Sequence, residues 1–132
     1  MSLVDDPTLL RALVDGLPEA LVVADVHGVI RYWNDAAQRL FGHTREEALG
    51  ASLDILMPER FKAAHDAGFA RAVATGELRV GGRVMRTRAN HKEGRKLYVE
   101  FSFALLQDPQ GQVLGVFATG RDATEAHLKA QA

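Results

Sequence analysis

The sequence predicts an α+β domain in which helices cover one face of a single antiparallel sheet. The strongest observation is the segment from Lys96 to Leu105, where apolar and polar side chains alternate along the chain. A period of two is typical of a strand that turns one face to a core. Two short apolar runs near residues 21–33 predict a hairpin, and helical patterns fill residues 34–76. Strands on both sides of a helical block favour one sheet with the helices packed on it.

The composition is that of an ordinary globular domain and excludes several kinds of site. The 132 residues suffice for one domain, with 47% hydrophobic and 25% charged residues. A net charge of −1 gives no general electrostatic reason to bind nucleic acid, and no apolar run is long enough to span a bilayer. The absence of cysteine excludes disulfides and thiolate sites. We therefore expect no nucleic-acid partner and no membrane span, with the cytoplasm as the default location.

Residues 1–16 predict a short amphipathic helix. An acidic pair followed by Pro7 is a helix start, and Gly16 lies near the helix end. Apolar residues at helical spacing form one stripe, made of Leu9, Leu10, Leu13, Val14 and Leu17. Such a stripe needs a partner surface, which is either the rest of the domain or a second copy of the chain.

The next segment predicts a hairpin followed by two capped helices. The runs 21–24 and 29–33 flank a turn from Asp25 to Gly28. Asn34 is a helix N-cap, and Gly42 ends that helix over residues 35–41. Thr44 and Glu47 have the spacing of a capping box.

The longest helix is predicted from Pro58 to about Ala74, with Gly76 as its end. At about 100° per residue, one stripe of this helix contains Phe61, His65, Phe69 and Ala72. A third strand is predicted over residues 78–89, and turns at 92–94 and 108–111 separate it from strands at 96–105 and 113–119. Residues 121–125 then end the last strand and cap a short helix.

These pieces resemble a PAS domain over residues 15 to 128. The motifs that carry the resemblance, in order, are Leu17-Pro18-Glu19-Ala20, Asp25-x-x-Gly28, Trp33-Asn34-x-Ala36-Ala37, Phe41-Gly42-His43, Glu46-Glu47-Ala48-Leu49-Gly50, Met57-Pro58-Glu59-Arg60, Thr75-Gly76-Glu77, Lys92-x-Gly94-Arg95 and Gly120-Arg121-Asp122-Ala123-Thr124-Glu125. The resemblance implies a five-stranded antiparallel sheet in the order 2-1-5-4-3. It also implies a division into an N-terminal helix (1–16), a PAS core (17–122) and the start of a C-terminal signalling helix (123–132).

The resemblance further implies a sensory role. Such a module senses a small molecule, a redox state or a partner and relays the change through its terminal helices. It would act with, or be cut from, a histidine kinase, a cyclase or a transcription regulator, and a homodimer is expected. Asn34 would hold the start of the helix after strand two, and Asp122 and Thr124 would couple the sheet to the outgoing helix, in addition to ordinary capping roles. A ligand-free dimerisation module is the alternative.

The long helix resembles that of the oxygen-sensing haem PAS domains of bacterial histidine kinases. There the histidine at the position of His65 is the proximal iron ligand, and Arg71 and Arg79 match basic positions. The resemblance departs at Met85, which takes the place of the distal arginine, although a methionine is the sixth ligand in another group of haem PAS sensors. It also departs at Phe101 and Phe103, which replace aliphatic residues and would crowd a porphyrin.

The predicted pocket lies between this helix and the sheet and is lined by His65, Phe61, Phe69, Met85, Phe101, Phe103 and Ala118. His65 binds haem there, binds a smaller ligand, or is hydrogen-bonded within the fold, and the last two are favoured over haem. Non-covalent flavin is a weaker candidate, since the adduct-forming cysteine is missing. Small residues at Val116, Ala118 and Gly120 leave space for a ligand or allow close helix packing, and close packing is slightly favoured. The histidines are dispersed, so we expect no metal cluster. The sequence contains neither a phosphate-binding loop nor a nucleophile motif, so we do not expect an enzyme.

Overall fold

A computed structural model describes residues 5–79 and 81–132 and contains one five-stranded antiparallel sheet. The strands are β1 (Ala20–Asp25), β2 (Ile30–Trp33), β3 (Val84–Asn90), β4 (Lys96–Gln107) and β5 (Val113–Asp122). Their order is β2-β1-β5-β4-β3, so the first and last strands of the chain pair in the middle of the sheet. The predicted fold class and strand order are confirmed.

The register of the sheet follows the predicted alternation on β4. Phe101 lies opposite Gly120 of β5 and Met85 of β3, and Phe103 lies opposite Ala118. Leu97 and Val99 are buried on the same face, with 4% and 0% of their surface exposed. Side chains alternate between the two faces of a strand, so Leu97, Val99, Phe101 and Phe103 share one face. The burial of the first three shows that this is the inner face, which the helices cover.

Five helices complete the fold: α1 (Pro7–Asp15), α2 (Asp35–Phe41), α3 (Arg45–Ala48), α4 (Lys62–Thr75) and α5 (Thr124–Gln131). Asp6 caps α1 through its carboxylate, Thr44 and Glu47 form the predicted capping box, and Gly42 ends α2 in the left-handed region with φ +83°. None of the described helices is long and apolar enough to cross a membrane.

The start of the longest helix differs from the prediction. Pro58 is extended, and a 3₁₀ turn (Glu59–Phe61) precedes α4, which begins at Lys62. An earlier 3₁₀ turn (Leu53–Leu56) lies between α3 and this segment. Proline fixes its own φ and has no N–H to donate, so it serves as the cap of the 3₁₀ turn here.

The third strand is shorter than predicted, and the last two are longer. β3 begins at Val84 rather than at residue 78, and Val80 lies outside the described residues. Gly81 and Gly82 form a turn, and Gly82 has φ +80°, which a regular strand does not allow. Leu78, which precedes that turn, therefore does not join the sheet, while β5 continues to Asp122, beyond the predicted end at residue 119.

The core is centred on Trp33, Phe41, Ile30 and Val99, which are fully buried. The indole of Trp33 lies 5.5 Å from the ring of Phe41, which stacks in turn on Phe101. This packing joins β2, α2 and β4 at one end of the inner face. The space between α4 and the sheet lies next to this aromatic cluster and contains a cavity.

Candidate functional site

A cavity of about 430 Å³ separates α4 from the inner face of the sheet. Its floor consists of small or medium residues on β1 and β5, namely Val22, Ala24, Val116 and Ala118, and its roof of aromatic residues on and before α4. The 3₁₀ turn with Leu53, Leu56 and the following Met57 closes one end. A volume of this size is in the range of small-molecule sites in proteins.

A second cavity of about 460 Å³ lies along the other side of the same helix face. Five residues line both cavities: His65, Phe69, Thr87, Phe103 and Val116. Arg71, Glu77 and Arg79 line only the second cavity and give it a polar side. The two cavities thus share one wall, and His65 belongs to that wall.

Close packing of the long helix on the sheet, which the sequence slightly favoured, is not what the structure shows. Ala72 is the only described residue of α4 that is buried, and Phe61 is 42% exposed. Val116 and Ala118 of β5 therefore face the cavity rather than the helix backbone, whereas Gly120 lies against the ring of Phe101. Large rings at Phe69, Phe101 and Phe103 occupy the positions at which helix and sheet approach.

His65 lies at the boundary between the cavities, with 37% of its side chain exposed. Its Nδ1 atom is buried and has no hydrogen-bond partner among the described residues, and the nearest acid, Asp66, is 3.6 Å away. The bond within the fold that the sequence favoured is therefore not found in the described part of the chain. A buried ring nitrogen without a partner is costly, so it indicates a missing partner or a ligand.

The other predicted pocket residues divide between the two cavities. Phe61, Phe101 and Ala118 line the first, Phe103 and Phe69 line both, and Met85 lines only the second. Phe101 and Phe103 are in contact, with ring centroids 5.4 Å apart. The structure thus brings the predicted set together around His65, with Met85 on the far side of the shared wall.

Asn34 does more than cap α2. Its Oδ1 accepts from the amide N–H of Ala37, as predicted, and also from that of Leu21 on β1, both at 2.9 Å. Its Nδ2 donates to the carbonyls of Val14 and Glu19 at 2.9 and 3.1 Å. The buried amide therefore connects α1, β1 and α2 and fixes where α1 meets the core.

A charged cluster that the sequence analysis missed reinforces this junction. Arg45 donates to the Asp15 and Asp35 carboxylates at 2.9 Å and to the Trp33 carbonyl at 2.8 Å. The Tyr32 hydroxyl also donates to Asp15, and burial together with that carboxylate raises the pKa of the phenol. The partners lie up to 30 residues apart, so no local spacing could have predicted the cluster.

The end of the sheet is joined to α5 through Asp122, Thr124 and Tyr98. Asp122 Oδ1 accepts from the Thr124 amide N–H at 2.9 Å, while the Thr124 hydroxyl accepts from the Tyr98 amide N–H at 3.0 Å. Sequence analysis predicted Asp122 and Thr124 at this junction. It did not predict Tyr98, because this partner of Thr124 lies on β4, 26 residues earlier in the chain.

The geometry defines a class of protein: an antiparallel sheet with a helical cover, a cavity between the two, and helices at both termini. Residues 14–128 match the family model for the PAS fold, and the chain therefore belongs to the PAS family. Its homology to sensor proteins places it among the sensory signal-transduction modules of that family.

Two curated relatives are sensors. The chain is 32% identical over 125 residues to "Sensor protein FixL" of Bradyrhizobium diazoefficiens, a match that covers 95% of this chain and 24% of that protein. It is 28% identical over 119 residues to "Oxygen sensor protein DosP" of Escherichia coli, covering 90% of this chain and 14% of that protein. The chain thus spans about a quarter or less of the length of these relatives.

A solved structure agrees with the fold. The PAS domain of a protein from Colwellia psychrerythraea superposes with a TM-score of 0.76 at 26% identity, covering 91% of this chain and 99% of that one.

Proposed function

We propose that this domain senses a small molecule that binds beside His65 and relays its presence through the terminal helices to an effector. The observation that carries the proposal is the buried, unpartnered Nδ1 atom of His65 on the wall shared by two cavities. The domain itself is proposed to be a sensor without catalytic activity. The effector would be a kinase, a cyclase or a transcription regulator.

The lining of the first cavity defines the class of ligand. Most of the lining is aromatic or aliphatic, and Arg86, Thr87 and Arg88 of β3 add polar groups; the Thr87 hydroxyl donates to the Val99 carbonyl at 3.4 Å, while the buried Arg88 Nε has no hydrogen-bond partner among the described residues. A ligand there is mainly apolar, with a polar or metal centre at His65. Charged groups of the ligand would extend toward Arg71 and Arg79 in the second cavity.

Haem is the candidate cofactor whose binding at this site can be tested most directly. The similarity to an oxygen sensor and the unpartnered imidazole at the cavity wall both support it. His65 would hold the iron, with the Met85 thioether as a candidate second ligand, and bound haem would supply reversible binding of a diatomic gas. Phe101 and Phe103 narrow the first cavity and favour a smaller ligand.

The test is reconstitution of the purified domain with haemin. If haem is the cofactor, a stoichiometric Soret band appears, His65→Ala abolishes it, and Met85→Ala shifts it only if that thioether is the second ligand. His27→Ala, a change of the same type in the exposed β1–β2 turn, is the control and leaves the band intact. Loose binding that is equal in parent and His65→Ala excludes haem.

A smaller apolar ligand is then tested with the same pair of proteins. Native mass spectrometry of the freshly purified parent would show a retained molecule, and His65→Ala would lose it while His27→Ala keeps it. If a screen of small apolar and aromatic compounds raises the melting temperature of parent and His65→Ala equally, the proposed site is wrong.

We also propose that the domain forms a homodimer through α1. Leu10 and Leu13 are 40% and 51% exposed, and none of the α1 residues is buried in the single chain. A surface helix with a strong apolar stripe and no cover of its own is well suited to an interface between two copies. Sedimentation of Leu13→Asp beside the parent tests this, with Leu114→Asp, at an exposed leucine beside the β4–β5 turn, as the control. A parent that is monomeric at high micromolar concentration contradicts the proposal.

A further inference from the structure

One residue of β4, Tyr98, contacts both the start and the middle of the exit helix α5, in addition to the Asp122 hydrogen bond described above. The Ala123 amide N–H donates to the Tyr98 carbonyl at 2.7 Å, and the Tyr98 amide N–H donates to the Thr124 hydroxyl at 3.0 Å. The ring of Tyr98 stacks on the imidazole of His127, with centroids 3.6 Å apart and planes 15° from parallel. Backbone and side chain of Tyr98 therefore hold both the start and the middle of α5.

These contacts matter because α5 is short and lies on the surface, with the Asp122 hydrogen bond at Thr124 and an exposed Glu125–Lys129 ion pair as its other described polar contacts. The helix has eight residues, none of which is buried, and its Leu128 is 56% exposed. An isolated helix of this length is unstable in water, so its order depends on docking. Removing the stack should release the helix without unfolding the sheet.

Tyr98 is also connected to the cavity. Its neighbours Leu97 and Val99 are buried on the inner face, so the Tyr98 ring projects from the opposite face of β4. The Val99 carbonyl accepts the hydroxyl proton of Thr87, which lines both cavities. One short chain of contacts thus runs from the cavity wall through Thr87 and β4 to the face on which α5 lies.

We propose that Tyr98 and His127 form a latch that holds α5 on the sheet, and that Thr87 links this latch to the cavity wall. The latch does not depend on which ligand binds, and it is testable in the ligand-free domain. Failure of haemin or of any compound to bind therefore leaves this inference standing, and a negative result here leaves the ligand proposal standing.

The experiment is hydrogen–deuterium exchange of the amides of residues 127 to 131. Tyr98→Leu and His127→Ala should each speed exchange in α5 about 2- to 10-fold, which corresponds to the loss of one aromatic pair. Tyr98→Phe keeps the ring and should behave as the parent, since the phenol hydroxyl has no hydrogen-bond partner among the described residues. His27→Ala is the matched control, and exchange in the β4 core should be unchanged in every variant.

His127→Ala is a stringent variant, because alanine has the higher helix propensity and by itself would slow exchange. Thr87→Val removes the hydroxyl at nearly constant shape and should also speed exchange in α5. In the Tyr98→Leu background it should add no further effect, because the latch is already open.

Three results would overturn the proposal. The first is unchanged exchange in α5 for Tyr98→Leu and His127→Ala. The second is a parent helix that already exchanges at the rate of an unfolded peptide. The third is a Thr87→Val effect that is absent, or that multiplies independently with that of Tyr98→Leu.

Discussion

Replacing Asn34 by alanine should destabilise the domain more than any other single change at a helix cap. The side chain is fully buried and makes four hydrogen bonds to backbone groups of three elements. Asn34→Ala leaves the buried amide N–H groups of Leu21 and Ala37 without an acceptor, at about 1–2 kcal/mol each. The carbonyls of Val14 and Glu19 are partly buried and can find water, so they add less.

The expected total is about 3–5 kcal/mol of unfolding free energy. With an unfolding entropy of about 2.1 cal/mol/K per residue, a chain of this length should lose roughly 10–18 °C in melting temperature. Urea denaturation followed by circular dichroism measures the difference. Thr44→Ala, at an exposed cap with a capping box, is the control and should cost about 1 kcal/mol.

A further variant separates the two halves of the Asn34 amide. Asn34→Asp keeps the acceptor for the two N–H groups but places a second acceptor against the carbonyls of Val14 and Glu19. The cost should therefore fall on the attachment of α1 and be visible as faster amide exchange there, with α2 retained. If Asn34→Ala costs no more than Thr44→Ala, the argument that Asn34 joins three elements is wrong.

Two other predictions follow from the region around α2 and α3. The Lys92 ammonium and the Thr44 amide N–H lower the pKa of Glu47 to about 2 from the usual 4.5, so the unfolded chain takes up this proton first as pH falls. The stabilisation by the ionised Glu47 carboxylate is present above about pH 4.5 and is lost toward pH 2. Glu47→Gln should therefore make the urea midpoint depend less on pH in that window than the exposed Glu46→Gln does. Equal slopes for the two variants would contradict this. Gly42→Ala should cost about 2–4 kcal/mol in urea denaturation, since the residue has φ +83° and the added Cβ would lie 2.4 Å from the ring of the buried His91. Gly50→Ala, with φ +86° and open space, should cost only about 1 kcal/mol, and equal costs would show that the His91 ring moves aside.

The sheet was predictable because its signal is local. Alternation along β4 placed Leu97, Val99, Phe101 and Phe103 on one face, and the register then placed Ala118 opposite Phe103. The error at β3 has the same origin, since residues 78–80 precede a glycine pair and have strand-like composition. A local pattern could not show that the Gly81-Gly82 turn comes between Leu78 and the edge strand.

For the helix caps, only the hydrogen bonds between residues close in sequence were predictable. The spacing of Asn34 to Ala37 and of Thr44 to Glu47 is visible in the sequence, and both bonds are found. The bonds from Asn34 to Val14 and Leu21, and from Thr124 to Tyr98, connect positions 13 to 26 residues apart. Their existence depends on how the elements meet in space, which no periodicity encodes.

The cavity shows why the site was harder to predict than the fold. Small residues at Val116, Ala118 and Gly120 are needed both for a helix packed directly on the sheet and for a space beneath it. The choice depends on how far α4 stands from β5, and the rings of Phe69 and Phe103 lie on the wall between helix and sheet. Because those rings lie between the helix and the sheet, α4 cannot pack closely on the small residues of β5, and a cavity remains between them. The same geometry leaves the Nδ1 atom of His65 without a partner at the edge of that space, and this atom is the part of the site most directly open to experiment.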